Sequence, residues 1–235
     1  MEKSFKEKLS EKSPELTAKM QEQFEEYMKL LLEWNEKINL TAITEEDDII
    51  LKHFADSLTI SKYINEGDTI VDVGTGAGFP GIPVKIERED IDVTLVDSLN
   101  KRILFLQNVI EKLGLQKVKT LHYRAEEFGQ NKKYRETFDV ATSRAVANLS
   151  TLVEYLLPLV KVGGICICMK GSEISEELEN SKNAIHILGG KLETVEEFTL
   201  PESNIKRNIV IIKKISSTPN KYPRKAGTPA KEPIK

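Results

Sequence analysis

The sequence is poor in the residues that mark secreted, membrane-embedded or metal-built proteins. Of 235 residues only two are cysteine and three histidine. Cys166 and Cys168 alternate along a strand-like run, so they face the same side without the geometry of a bridge. They read as buried free thiols. His53, His122 and His186 have no ligand spacing, so no metal is expected. No apolar run reaches the roughly eighteen residues that would suggest a membrane span. The opening segment, MEKSFKEKLSEKSPEL, is charged and lacks an apolar signal core. These absences point to a cytoplasmic protein with no membrane partner. Strong net charge is also missing: 34 basic residues against 37 acidic ones leave −3, which weakens any appeal to a generally basic nucleic-acid protein. There is no internal repeat, and the length suits one α/β domain with appendages.

What is present centres on Thr69 to Gly81, TIVDVGTGAGFPG. Ile70, Val71 and Val73 read as a buried strand, interrupted by Asp72. Gly74, Gly76 and Gly78 follow at alternate positions, and then a helix. Glycines in such a place permit positive φ or let a ligand lie against bare main chain, and the helix start offers unpaired N–H groups. A dinucleotide fingerprint needs G-x-G-x-x-G, but the third place here is Phe79. G-x-G-x-G preceded by Asp72 resembles instead the first motif of S-adenosylmethionine-dependent methyltransferases. Val93 to Val96 reads as the next strand, and Asp97 ends it. That is about twenty residues past the loop, where a carboxylate can accept ribose hydroxyls. The alternative for Asp97 is an acid at a helix N-terminus.

The first sixty or so residues read as helical. Leu16, Met20, Phe24, Tyr27, Leu31 and Trp34 form an amphipathic stripe, with a start expected at Ser13 before Pro14. Thr44 is the expected cap of a second helix, on which Ile49, Ile50, His53, Phe54 and Leu58 share a face. Pro80 and Pro83 fit a first helical turn. Ser98 is expected to cap the helix after Asp97, and Gly114 to end it. Strands follow at Val118–His122, Phe138–Ala141 and Ile165–Met169, with helices between, and two closing strands lie near Leu192–Leu200 and Ile209–Ile212. Such alternation implies a doubly wound, mostly parallel sheet of Rossmann-like type with an N-terminal helical cap. The expected division is a helical cap over 1–66, an α/β domain over 67–215 and a basic tail over 216–235. Ligands of these sheets bind beyond the carboxyl ends of strands. Gly74, Asp97, Glu126, Arg144 and Lys170 all fall there. The tail reads as irregular and mobile, and its Lys221, Arg224 and Lys225 as a local phosphate-binding face.

The stretches WNEKINLTAIT, KHFADSL, VDVGTGAGFPGIP, VDSLNKRILFL, RAEEF, TSRAVANL, MKGSEISEEL and YPRKAGTPAK occur in that order. From about Tyr27 onward the sequence resembles the bacterial RsmG (GidB) methyltransferases, which methylate N7 of one guanine in 16S ribosomal RNA. The resemblance implies S-adenosyl-L-methionine as cofactor and 16S rRNA or the small ribosomal subunit as partner; a monomer is expected, though the sequence does not fix the oligomeric state. It carries Gly74, Phe79, the Asp97 region, Ala125, Glu126 and Arg144 over as cofactor contacts. N7 of guanine has a lone pair and no proton, so the chemistry asks for alignment rather than a general base. Arg144 and Lys170 are the expected positioning residues. Guanine O6 and phosphates accept hydrogen bonds from Arg or Lys, which makes Lys101, Arg102, Arg124 and Lys170 candidates to face RNA. Two other readings compete: a small-molecule or protein methyltransferase on the same cofactor domain, and a non-catalytic nucleotide-binding or ribosome-associated module.

Overall fold

The computed structural model describes residues 3–144 and 147–235. Helix α1 (Phe5–Lys12) starts at Ser4, whose side chain and that of Glu7 cap each other's backbone. Helix α2 (Ala18–Ile38) starts at Thr17, whose hydroxyl accepts from the Met20 N–H. Ser13, the expected start, instead ends α1, where its N–H donates to Leu9 O at 2.9 Å. A composite helical stretch follows: α3 (Glu46–Ile49), a π turn (Ile50–Ala55) and α4 (Asp56–Leu58). Its cap is Glu45 rather than Thr44, and no side chain makes the bond.

The sheet begins at β1 (Thr69–Val73) and continues through α5 (Gly81–Glu87), β2 (Asp92–Asp97), α6 (Asn100–Leu113), β3 (Val118–His122), α7 (Ala125–Gln130), β4 (Phe138–Arg144), α8 (Leu149–Leu156), β5 (Val160–Lys170) and α9 (Ser175–Ile187). It closes with β6 (Gly190–Thr199) and β7 (Lys206–Lys214). The strand order is β3-β2-β1-β4-β5-β7-β6. The first five strands pair in parallel, while β7 runs antiparallel between β5 and β6. Helix α6 is capped by Leu99 without a side-chain bond, not by Ser98, and ends at Gly114 with φ 64°. Ala145, part of the SRA stretch, lies outside the described residues.

Alternation along the strands divides the core into two. Ile70, Val93, Leu95, Val140, Ile167 and Ile209 point toward α2, α5, α6 and the composite stretch, where Phe24, Tyr27 and Phe54 are buried. Val71, Val73, Val96, Ala141, Cys166 and Cys168 point the other way, toward α7, α8 and α9. Both cysteines are free and buried, and burial pushes the Cys168 thiol up to about 12.

The C-terminal segment differs from expectation. It is laid back across α7 and α8 rather than loose. Arg135 donates to Tyr222 O (2.7 Å) and Thr218 O (2.7 Å), Gln130 to Pro223 O (2.7 Å), and the Thr151 hydroxyl to Pro229 O (3.0 Å). The segment ends in a short turn of helix, α10 (Thr228–Lys231). Side-chain donors from α7, α8 and the loop after α7 answer its carbonyls, which is why an irregular sequence sits still.

Candidate active site

The loop between β1 and α5 is built on three left-handed glycines, with φ of 69° at Gly74, 62° at Gly76 and 101° at Gly78. Their surroundings differ. A Cβ on Gly78 would come within 2.7 Å of the Tyr27 hydroxyl and of Ile82, while one on Gly76 would meet nothing within 4 Å. Gly78 therefore serves close packing and Gly76 faces open space. Tyr27, from α2, donates its hydroxyl to Ala77 O and pins the loop to the helical layer.

Asp72, on β1, is fully buried beneath this loop. Its Oδ2 accepts from the Thr75 hydroxyl (2.6 Å) and the Gly81 N–H (2.9 Å), while Oδ1 is buried without a partner. Burial pushes its carboxyl up to about 7, against the pull of those two donors. Asp97, 2 % exposed, ties the loop to the next helix. Its Oδ2 accepts from Gly76 N–H at 2.9 Å and Arg102 at 3.2 Å, and its Oδ1 from Leu99 N–H at 2.9 Å. Asp97 thus holds the start of α6, as the helix-acid reading expects, and links it to the glycine loop.

Phe79 is the floor of a polar cluster. The His53 ring stacks on it at 4.4 Å and 13°, and the Arg144 guanidinium lies 4.9 Å from its centroid. Arg144, at the end of β4, donates to Lys52 O and Asp56 Oδ2, both at 3.0 Å, and meets His53 Nδ1 at 3.0 Å. Arginine has no acceptor, so Nδ1 is the acceptor and the imidazole proton is assigned to Nε2, 2.9 Å from the Thr41 hydroxyl. Burial first, and then the Arg144 charge, push His53 down to about 3. Asp56 is shared with Arg207 of β7 at 3.2 Å.

The structure brings Asp72, Gly74, Gly76, Gly78, Phe79, Asp97 and Arg144 into one constellation. It does not leave every expected cation available. Arg144 is spent on the helical layer, so it secures Phe79 and the composite stretch. Lys170 is largely buried, 2.7 Å from Ala147 O and 2.6 Å from Glu177, whose same oxygen accepts from Leu149 N–H. It braces the start of α8 instead of facing RNA. Arg102 is taken by Asp97. Arg224 is held by Glu154, a carboxylate with no exposed surface, through three guanidinium contacts of 2.7–3.2 Å. The expectation that Arg224 is a phosphate contact is therefore corrected: its charge neutralises an acid in the core. Arg124, Lys221 and Lys225 are exposed, as is Lys101, which donates to Ile38 O at 3.0 Å. Ala125 and Glu126 open α7. The Glu126 carboxylate turns to the C-terminal segment and accepts from Gly227 N–H at 2.8 Å.

His53, Tyr27 and Glu154 were not expected at the site. The signal for the first two was present, as polar groups on otherwise apolar helical stripes. Nothing local marks Glu154, whose partner lies seventy residues away.

A left-handed glycine loop after the first strand, an open face at Gly76, acids ending β1 and β2, and this strand order define an S-adenosylmethionine-dependent methyltransferase. The loop fits the cofactor, because Gly76 presents bare backbone where a side chain would intrude and Asp72 keeps an unpartnered oxygen behind it. Solved structures agree on the fold. A SAM-dependent methyltransferase from Aquifex aeolicus superposes with TM-score 0.53 at 18 % identity, over 72 % of this chain and 93 % of the other. The M. jannaschii TYW2 complex with AdoMet superposes with TM-score 0.53 at 14 %, over 68 % and 75 %. Residues 20–210 match the GidB family model, described as rRNA small subunit methyltransferase G, and the chain belongs to that family. The ribosomal RNA small subunit methyltransferase G of Alkaliphilus metalliredigens is 56 % identical over 211 residues, covering 89 % of this chain and 88 % of its own. That of Lactobacillus acidophilus is 53 % identical over 230 residues, 96 % of each chain.

Proposed function

We propose that this protein transfers the methyl group of S-adenosylmethionine to N7 of a guanine in 16S ribosomal RNA of the small subunit. The observation that carries the reading is the family match across residues 20–210, joined to an intact glycine loop with Asp72 and Asp97. The bound cofactor supplies an activated methyl on a sulfonium. N7 attacks with its own lone pair, so no side chain need remove a proton. The protein's work is to hold nucleophile, methyl and sulfur in line, which can supply most of a rate enhancement. Gly76 gives the backbone face and Asp97 a carboxylate for the ribose hydroxyls. Ala125 and Glu126 stand at the adenine end. Arg144 acts by holding Phe79, and Lys170 by bracing the start of α8; neither needs to touch guanine.

The exposed cations Lys101, Arg124, Lys221 and Lys225 supply phosphate contacts. A groove of 350 Å³ between α7 and the C-terminal segment carries Glu126 on its wall with Lys221 and Lys225 at its rim. Among the described residues no helix is long and apolar enough to cross a membrane; the proposed place of work is the cytoplasm, and the monomer is the expected state. The test is transfer from labelled cofactor to small subunits, or to 16S rRNA, lacking the modification, followed by mapping of the methyl. Label at guanine N7 is expected. Label on a small molecule and none on RNA would overturn the reading.

A further inference from the structure

The C-terminal segment reaches the cofactor side of the molecule through one backbone donor. Gly227 N–H lies 2.8 Å from Glu126 Oε1 at the start of α7. Gly227 has φ 83°, and a Cβ there would meet nothing within 4 Å, so backbone conformation rather than space requires glycine. Three residues earlier, Arg224 donates its own N–H (2.8 Å) and its guanidinium to Glu154. Glu154 lies on α8 with no exposed surface, and next to it burial, and then the Glu126 and Glu154 charges, raise the Tyr155 phenol to about 12. Pro223 packs on the far end of α7 so closely that a Cβ on Gly129 would come within 2.8 Å of it. The segment is thus nailed at Pro223 and Arg224, and its next turn delivers a donor to Glu126.

We propose that Arg224 is a positioning residue for the cofactor site, acting through Glu154 and the Gly227 N–H to fix the Glu126 carboxylate and the opening of α7. This rests on the reading that Glu126 and its neighbour stand at the adenine end. Without the anchor, Glu126 keeps only its contact with Tyr155, and the helix start it belongs to is free to shift against the bound adenine. The penalty falls on cofactor affinity. Alignment at the methyl, set by Gly76, Phe79 and Asp97, is left as it was. Because Lys221 and Lys225 ride on the same segment, RNA held by those lysines also steadies the cofactor end.

Removing Arg224 alone would strand a buried charge and endanger folding. The test therefore uses the double variant Arg224→Gln with Glu154→Gln, which removes both charges at similar volume. Beside it stand Gly227→Val, whose β-branched side chain opposes positive φ, and Gly227→Asn, which tolerates it. Glu126→Ala calibrates the reading of the site. Calorimetric titration with S-adenosylmethionine is paired with steady-state methylation and thermal melts. Expected is a loss of affinity of ~10-fold in the double variant and in Gly227→Val, with KM for the cofactor raised and kcat at saturation kept within about two-fold. Gly227→Asn should recover most of the affinity that Gly227→Val loses. A folded double variant with unchanged affinity, while Glu126→Ala binds weakly, would overturn the positioning role alone. Unchanged affinity in Glu126→Ala as well would overturn the placement of Glu126 and the proposal with it. A fall in kcat equal to the rise in KM would assign the segment a general structural role and overturn the proposal.

Discussion

Arg144 donates to Nδ1 of His53 across 3.0 Å, and that bond exists only while the imidazole is neutral. His53 is held down to about 3, against an unfolded value of 6.5. Asp72 is pushed up to about 7, against 3.8. As pH falls below 6.5 the unfolded chain takes a proton at His53 that the folded chain refuses, so stability is lost from there down to about 3. Asp72 acts with the opposite sign: its contribution is present below 3.8 and lost as pH rises through about 7. Between pH 4 and 6.5 the two slopes oppose each other at about 1.4 kcal/mol per pH unit each. Urea melts should give a nearly level profile for these two groups in the native protein. His53→Gln should tilt it so that stability falls with rising pH, and Asp72→Asn should tilt it the other way. Parallel profiles for all three proteins would remove both groups from the account.

Gly76→Val should abolish cofactor binding in a folded protein. The side chain finds empty space in the absence of ligand, so the structural cost is the left-handed backbone, about 1–2 kcal/mol. The same side chain fills the face on which the cofactor lies. Titration with S-adenosylmethionine, alongside a thermal melt, separates the two. Native affinity in a folded Gly76→Val would place the ligand elsewhere.

Lys170→Met should behave as a stability variant. The substitution removes the donor to Ala147 O and the partner of Glu177. A loss of about 1–3 kcal/mol follows for a part-buried, charge-assisted hydrogen bond removed together with its ion pair. Turnover per folded molecule should stay close to native. A specific collapse of kcat at unchanged stability would return Lys170 to the reacting centre.

Lys221→Ala with Lys225→Ala should leave the melting temperature and cofactor affinity near native and weaken RNA binding. If each lysine neutralises one phosphate, the slope of log affinity against log salt should flatten by roughly 1.4 in total, or 0.7 per contact on single-stranded RNA. Arg224 is kept out of this pair because its charge belongs to Glu154. An unchanged slope would make both lysines bystanders.

The loop, the strand alternation and the acids at Asp72 and Asp97 were legible in the sequence because each is a local pattern with a local cause. Gly114 ended its helix for the same reason. The caps were less legible. Ser13 was the expected start, but α1, whose Ser4–Glu7 box lies in a run too charged to suggest a buried face, occupies the chain up to Lys12, and the cap passes to Thr17. Least legible were the long-range ion pairs. A lysine or arginine after a strand looks the same in sequence whether it meets a phosphate or a core carboxylate. Arg224 meets Glu154, seventy residues away, because only the fold brings α8 near the C-terminal segment; Arg102 and Lys170 meet Asp97 and Glu177, close in sequence, which a reading for phosphate contacts passes over. The tail looked loose because its anchors, Arg135 and Gln130, lie far upstream.

The position of β7 bears on synthesis of the chain. β6 pairs with β7 alone, yet β7 is made after it and comes to lie between β5 and β6. While the polypeptide emerges, the outer edge of β5 and the whole of β6 therefore wait for the same partner. An unpaired strand in a crowded cell invites pairing with other nascent chains. The β6 sequence, GKLETVEEFT, answers this with Lys191, Glu193, Glu196 and Glu197 along a largely exposed strand. Like-charged copies repel, so the waiting strand discourages self-association until residues 206–214 arrive to close the sheet.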